Sequence, residues 1–431
     1  MRKIFNLGKK LFPICRSITG KGVRQTLKII KKFEPMIKIK SIKSGKKVFD
    51  WKVPKEWNIS NAYILDHKNE KLIDFKKNNL HLIGYSTPVN KKISKKELFN
   101  RLYSLPKQPN AIPYITSYYK DYWGFCVSNN HKKKIIKKLN KISDNKKILF
   151  AKIDSSFKKN GKLNYGEIFI PGFSKKEIFL STYICHPSMA NNELSGPLVA
   201  IALVNYFQKK KNYYSIRVIF IPETIGAISY IEKNLINLKK NVIAGYNLTC
   251  LGDNNNYSFL PTKYKNSISD RAARKAFDKL KIKYKEYSFL KRGSDERQYN
   301  SPGIDLPIAS IMRSKYGTYK EYHTSLDNFD FISIKGLQGG YKILRQSINI
   351  LNKSLIPKSK VLCEPHLSKH KLYPTLSTKN SNKFSQTILD FLQYSDGKND
   401  LEEISKLVNK SYNEVKKIYK ILIKKKLIER L

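Results

Sequence analysis

Apolar positions along this chain change their spacing several times, and each change marks a different kind of element. Between 149 and 350, Ile178–Ile184 and Val218–Ile221 are apolar runs, the pattern of strands covered on both faces of a sheet. The segments after them, Ser195–Gln208 and Ala227–Leu235, space their apolar residues as helices do. Alternation of this kind predicts an α/β layered domain, with ligands bound where strands end. Upstream, residues 11–35 read as a loop and then a helix, with Val23, Leu27, Ile29, Ile30 and Phe33 set between lysines and Ser17 or Thr19 as caps. From about 47 to 90 the pattern shortens to extended runs, Val48–Trp51, Ala62–Leu65, Leu72–Phe75 and Leu80–Tyr85, which predict a small β-rich unit. Pro106, Pro109 and Pro113 lead into an aromatic-rich stretch, Tyr114–Phe125. After a connector at about 354–380, Phe384–Tyr394, Leu401–Val408 and Tyr412–Leu422 read as three short helices and Leu427–Glu429 as a terminal strand. That order is similar to a winged helix.

Composition narrows the class. With 431 residues, 41% of them hydrophobic and 12% aromatic, the chain has enough apolar surface to offset chain entropy, which excludes a wholly disordered polycation. No apolar run approaches the roughly 18–20 residues of a membrane-spanning helix. Lys9 and Lys10 interrupt the basic start before a signal-peptide core can form, and the five cysteines show no paired spacing. A cytoplasmic protein is therefore expected. The net charge of +51 would suit nucleic acid or an anionic membrane. Only 12 of the 84 cations are Arg, however, and the lysines are scattered, so the expectation is compositional drift rather than a nucleic-acid surface.

Chemistry concentrates at element ends. The strand ending near His186 runs into Pro187-Ser188-Met189-Ala190-Asn191-Asn192-Glu193-Leu194, and Ser195-Gly196 opens the next helix, so the imidazole belongs at the carboxyl edge of the sheet. The strand Ile216–Ile221 ends at Pro222-Glu223, which places a carboxylate at the same edge. Gly293-Ser294-Asp295-Glu296-Arg297 and Tyr322-His323-Thr324-Ser325-Leu326-Asp327 add further candidates. Taken singly, a strand-end His, a Glu after a strand or a His in a turn has an ordinary structural explanation. Their co-occurrence in one domain points to a site.

The segment Cys185–Gly196, with Leu11-Phe12-Pro13-Ile14-Cys15-Arg16-Ser17-Ile18-Thr19-Gly20 before it and Glu321–Asp327 after it, resembles the bacterial DUF4910/DUF2172 aminopeptidase-like proteins, relatives of the M28-type zinc aminopeptidases. The resemblance covers nearly the whole chain. It implies a three-layer α/β/α, phosphorylase/hydrolase-like domain formed by residues 1–46 and 131–360, a β-rich insert at 47–130 and a winged helix at 374–431. It also implies a link to surface-polysaccharide biosynthesis.

Carried over from that family, His186 and His323 match the two metal-binding histidines and Glu223 the general base. Asn192 stands where an Asp bridging two ions is expected, Thr224 where a carboxylate ligand is expected, and Ser188 where an Asp orients the first His. An amide bridging two dications leaves their repulsion poorly compensated, so one Zn2+ is expected, held by His186, His323 and Asn192. Asp253 and Asp295 are alternative ligands, Asp295 also as a residue that only orients its neighbours. Arg292, Arg297 and Arg313 are candidates for a substrate carboxylate, and Tyr316 and Tyr322 for the oxyanion.

The expected function is metal-dependent hydrolysis of an amide bond in a peptide or an aminoacyl group. The alternatives are a degenerate binding protein of polysaccharide assembly and a winged-helix nucleic-acid-binding regulator. The tail lacks an Arg or Gln cluster for base readout, so docking to a protein partner or a second copy is its expected role.

Overall fold

The computed structural model describes residues 1–141, 148–373 and 383–431. The last part of the expected connector and the first residues of the expected 374–431 unit lie outside the described residues. Eight strands form the main sheet in the order Lys38–Lys43, Lys162–Ile170, Tyr214–Ile221, Ser174–Tyr183, Val242–Leu248, Ile308–Met312, Ser258–Leu260, Lys285–Glu286. The four from Tyr214–Ile221 to Ile308–Met312 are parallel. From Ser174–Tyr183 the chain moves to the neighbour on one side, then crosses to the neighbour on the other. The winding therefore reverses at this strand, and the crevice beyond its carboxyl end is where such sheets bind ligands.

Alternation along the buried strands feeds two cores. Ile178 and Leu180 pack with Ile216, Val218, Ala244 and Tyr246 under the helices Arg2–Leu11, Lys21–Phe33, Ser195–Phe207, Ile268–Lys279 and Ile334–Lys353. Phe179, Ile219 and Ile221 face the other way, toward the helix Ile225–Asn241 and a second sheet. This makes three layers. The helix Arg2–Leu11 lies in the basic start, where no element was expected. It forms because Ile4, Leu7 and Leu11 fall on one face and are buried while Lys3, Lys9 and Lys10 stay in solvent.

The second sheet is antiparallel, in the order Lys71–Asp74, Glu56–Leu65, Leu149–Lys158, Val89–Ile93. It takes a strand from well beyond the short runs that suggested it. Arg24 clamps Glu56 at 2.7 and 2.9 Å, tying the helix Lys21–Phe33 to this sheet. Leu80–Tyr85, expected as a strand, instead opens with a single turn at Asn79–His81, because the Asn78 side chain accepts the Leu80 amide and caps it.

In the C-terminal unit the helices Lys383–Gln393, Leu401–Leu407 and Tyr412–Lys424 enclose a separate core that includes Ile388, Phe391, Ile404, Val415 and Leu422. The strand Ile428–Arg430 pairs with Pro357–Ser359. The Arg430 guanidinium lies 3.4 Å from the Tyr213 ring centroid on the α/β body. No helix among the described residues is long and apolar enough to cross a membrane.

Candidate active site

His186 follows the strand at which the winding reverses. Its Nδ1 lies 2.9 Å from Glu193 Oε2, and Glu193 Oε1 lies 3.4 Å from Arg16 Nε. Arg16 also donates to the His186 carbonyl at 2.9 Å and to the Leu11 carbonyl at 2.6 Å, so the Leu11–Gly20 segment clamps the strand end. Arg16, Glu193 and His186 are all buried. Burial alone would lower the basicity of His186, but the hydrogen bond and charge of Glu193 outweigh it and raise the pKa. A proton held on Nδ1 leaves Nε2 facing Glu223, 3.7 Å away.

The second imidazole comes from the far end of the domain, yet its ring centroid is 5.3 Å from that of His186. His323 adopts a left-handed backbone (φ 55°), is stacked on Tyr322 at 3.9 Å, and its carbonyl accepts the Tyr114 amide at 2.9 Å. The Tyr114 ring packs 5.1 Å from His186 and 5.2 Å from His323, bridging the pair. Burial and then the charge of His186 push the His323 pKa down to about 3, so this ring is neutral. Its Nε2 is buried without a hydrogen-bond partner.

Glu223 sits on a constrained turn. Thr224 has φ 60° and ψ −85°, a strained conformation for a β-branched residue. Asp295 Oδ1 accepts the Thr224 amide at 2.8 Å and Arg297 Nη2 donates to the Thr224 hydroxyl at 2.8 Å, so both hold the turn in place. Burial raises the Glu223 pKa, opposed by the charge of His186 and the Ser294 hydroxyl. Asp295 is pushed well up by burial and then by the Glu223 charge.

Asn192 lies in the tight turn Ala190–Leu194, whose Ala190, Asn191 and Asn192 amides all point at the Asp327 carboxylate, 2.5–3.2 Å away. Gly196 follows, and a Cβ there would collide with the Leu248 carbonyl and the Thr182 hydroxyl, which is why the helix can start flush against the sheet. The Asn192 amide donates to Tyr183 OH at 2.8 Å, while its Oδ1 is buried without a partner.

The structure thus gathers His186, His323 and Glu223, with Tyr322 stacked on His323 and Asp295 and Arg297 on the Thr224 turn, while Asn192 bonds to Tyr183, whose ring packs 5.2 Å from His186. Four other candidates are employed elsewhere. Asp253 accepts from Asn191 Nδ2, the Ser314 amide and the Ser314 hydroxyl at 2.8–3.0 Å, and so pins loops together. Arg292 is exposed beside Phe289, Arg313 lies over Tyr257 at 3.7 Å, and Tyr316 donates to Glu296 at 2.6 Å. Ser188 touches Asn79 and the Phe12 carbonyl, and Glu193 takes the orienting place beside His186. Sequence reasoning passed over Glu193, Arg16, Tyr114 and Asp327. Glu193 and Arg16 had a usable signal, since each is a charged residue inside one of the two segments that carry the family resemblance.

The donor set can be tested against a metal ion. Two imidazoles sharing one ion at about 2.0–2.1 Å have centroids roughly 5 Å apart, close to the separation here. His323 Nε2 and Asn192 Oδ1 are orphaned buried acceptors, which water-free burial penalises unless something occupies them. An imidazole pair at this spacing and a neutral, unpartnered His323 nitrogen are donors of the kind one divalent ion takes. Cys185 Sγ, a His186 nitrogen and a Glu193 oxygen also lie within 4.8 Å of one another, a grouping that could hold a metal.

Comparison with known proteins agrees with this architecture. A Clostridium acetobutylicum protein named for polysaccharide biosynthesis and an aminopeptidase-like domain is 41% identical over 420 residues, covering 96% of this chain and 93% of that protein. A crystal structure of a candidate peptidase from Clostridium acetobutylicum superposes with TM-score 0.79 at 39% identity, over 100% of this chain and 96% of the other. The Bacillus subtilis zinc aminopeptidase BSAP shares the fold at TM-score 0.57 and 11% identity, over 81% and 94% of the two chains. A winged helix-turn-helix family matches residues 355–430. Residues 5–354 match the family described as Domain of unknown function (DUF4910), and the chain belongs to that family.

Proposed function

We propose that this protein hydrolyses an amide bond with the help of one divalent ion, zinc by analogy with BSAP, held by His186 Nε2, His323 Nε2 and Asn192 Oδ1. The observation that carries the reading is the convergence of the two imidazoles, 5.3 Å apart, with Glu223 3.7 Å from His186 Nε2. Such an ion, when bound, polarises a carbonyl and makes water more acidic. Glu223, whose proton affinity is raised by burial, takes a proton from the attacking water and returns it to the leaving amine. Glu193 and Arg16 keep the His186 proton on Nδ1 and its lone pair on the ion side. Arg16 argues against the Cys185–His186–Glu193 grouping as the ion's place, because a guanidinium already neutralises that carboxylate. Asp295 and Arg297 hold the Glu223–Thr224 turn, and in this reading Tyr322, stacked on His323, supplies the hydroxyl for the developing oxyanion.

In this reading the substrate is a peptide or an aminoacyl group in polysaccharide assembly, and five unpaired thiols suit a reducing cytoplasm. The winged helix serves as a docking unit. Metal analysis with a panel of aminoacyl anilides tests the proposal: one equivalent of zinc and turnover that disappears with the ion are expected. A zinc-loaded protein that cleaves none of them supports the second reading, a binding protein, which is favoured by the Thr224 hydroxyl accepting from Arg297.

A further inference from the structure

A cavity of about 270 Å³ opens beside Glu223 and His186, and its wall does not come from the α/β layers alone. Trp51 stands on the short hairpin Lys47–Val48/Trp51–Lys52, and Tyr118 and Tyr119 come from the aromatic stretch. Ile18, Ile225 and the buried Cys185 complete the apolar lining. Trp51 and Tyr119 are 42% and 53% exposed and meet edge to face, with centroids 6.0 Å apart, at the mouth. Large aromatic rings held half in solvent are costly unless something covers them.

The wall's hydroxyls are already engaged. Tyr119 OH donates to the Lys52 carbonyl at 3.0 Å, and Tyr118 OH is paired with Tyr114 OH at 3.2 Å. At the floor, the Thr224 hydroxyl accepts from Arg297, and His186 and Glu223 belong to the chemistry. A sugar ring needs several directional partners for its hydroxyls, and this wall offers ring faces and aliphatic carbons instead.

We propose that this cavity is a specificity pocket for a large apolar or aromatic side chain next to the scissile amide, and that Trp51 and Tyr119 set the preference. The inference rests on the hydrolase reading above and goes beyond it by naming the substrate class. The β-rich segments then complete the site, since they supply the pocket wall and Tyr114 against both imidazoles. Burying a benzyl or indole group against these rings gives the kind of discrimination that apolar pockets achieve, roughly tenfold or more between large and small side chains.

The test compares kcat/KM for phenylalanyl, leucyl, alanyl, lysyl and glucosaminyl amides in the zinc-loaded full-length protein. Phenylalanyl should exceed alanyl at least about tenfold, and Trp51→Ala and Tyr119→Ala should each collapse that ratio. Phe173→Ala, at the opposite end of the strand that delivers His186, should leave the ratio intact. In parallel, calorimetry with phenylalaninamide and glycinamide reads the pocket without turnover. Hydrolysis without a size preference, a preference for the lysyl or glucosaminyl amide, or a ratio that survives both substitutions overturns the pocket. Should the protein cleave no amide yet bind phenylalaninamide through Trp51, the hydrolase reading fails while the pocket stands as a binding site. With neither cleavage nor binding, both fall.

Discussion

His186 and His323 are the same residue type with ring centroids 5.3 Å apart, yet their surroundings pull them in opposite directions. His186 is backed by Glu193 and Arg16, and its proton is held more tightly than in water. His323 has aromatic neighbours, Tyr114 and Tyr322, an unpartnered Nε2, and a pKa down to about 3. One imidazole is oriented by charge, the other by packing. The difference shows that burial alone does not set the state of a histidine. What decides is whether a carboxylate shares the burial.

The largest expected effect separates the chemistry from both imidazoles. Glu223→Gln should lower turnover by about 10²–10⁴-fold while elemental analysis finds the same zinc content. Turnover that survives the change would remove Glu223 as the base. Next, Glu193→Gln should weaken zinc binding by about 10–100-fold in a chelator competition, because only His186 relies on a charged partner. Tyr322→Phe keeps the ring beneath His323 and should leave zinc binding nearly unchanged. Equal losses in the two variants would erase the proposed contrast.

The smallest effect is one of stability in zinc-free protein. An unfolded imidazole takes up its proton near 6.5, whereas folded His323 does so only at about 3. Between these values the unfolded chain holds more protons, so acid favours unfolding through His323. His186 works the other way: its contribution is present below 6.5 and is lost as pH rises through its elevated value. From pH 6.5 to 4.5 His323 should cost about 2 kcal/mol, read from urea midpoints. His323→Gln should flatten that slope. If the variant unfolds with the same pH dependence as the native protein, the neutral state of His323 is wrong.

Much of the frame was legible because it depends on local pattern. The apolar runs around Leu180 and Val218 fixed two buried strands, and strand ends in such sheets deliver side chains to one edge, so His186 and Glu223 could be placed without coordinates. Both histidines were legible as element-end candidates, but their pairing on one ion came only from the family resemblance, since nothing local links the segment around His186 to the one around His323. The helix Arg2–Leu11 was missed because its four cations are interleaved with its four apolar residues, although three of the latter suffice for one buried face. At Leu80–Tyr85 only Leu82 and Gly84 make isolated bridges, because the Asn78 cap turns the start of the run into a helical turn.

By itself, then, the amino-acid order determined layers, strand ends and the residue types available at one edge, because these follow from periodicities of a few residues. Tertiary structure alone decided who partners whom. Glu193 reaches His186 only because a tight turn aims it inward, Arg16 arrives from the N-terminal segment, and Tyr114 and Trp51 come from outside the α/β layers. All of these but the Glu193–His186 bond join residues far apart in sequence, and their energies depend on exclusion of water that no short stretch of chain can provide.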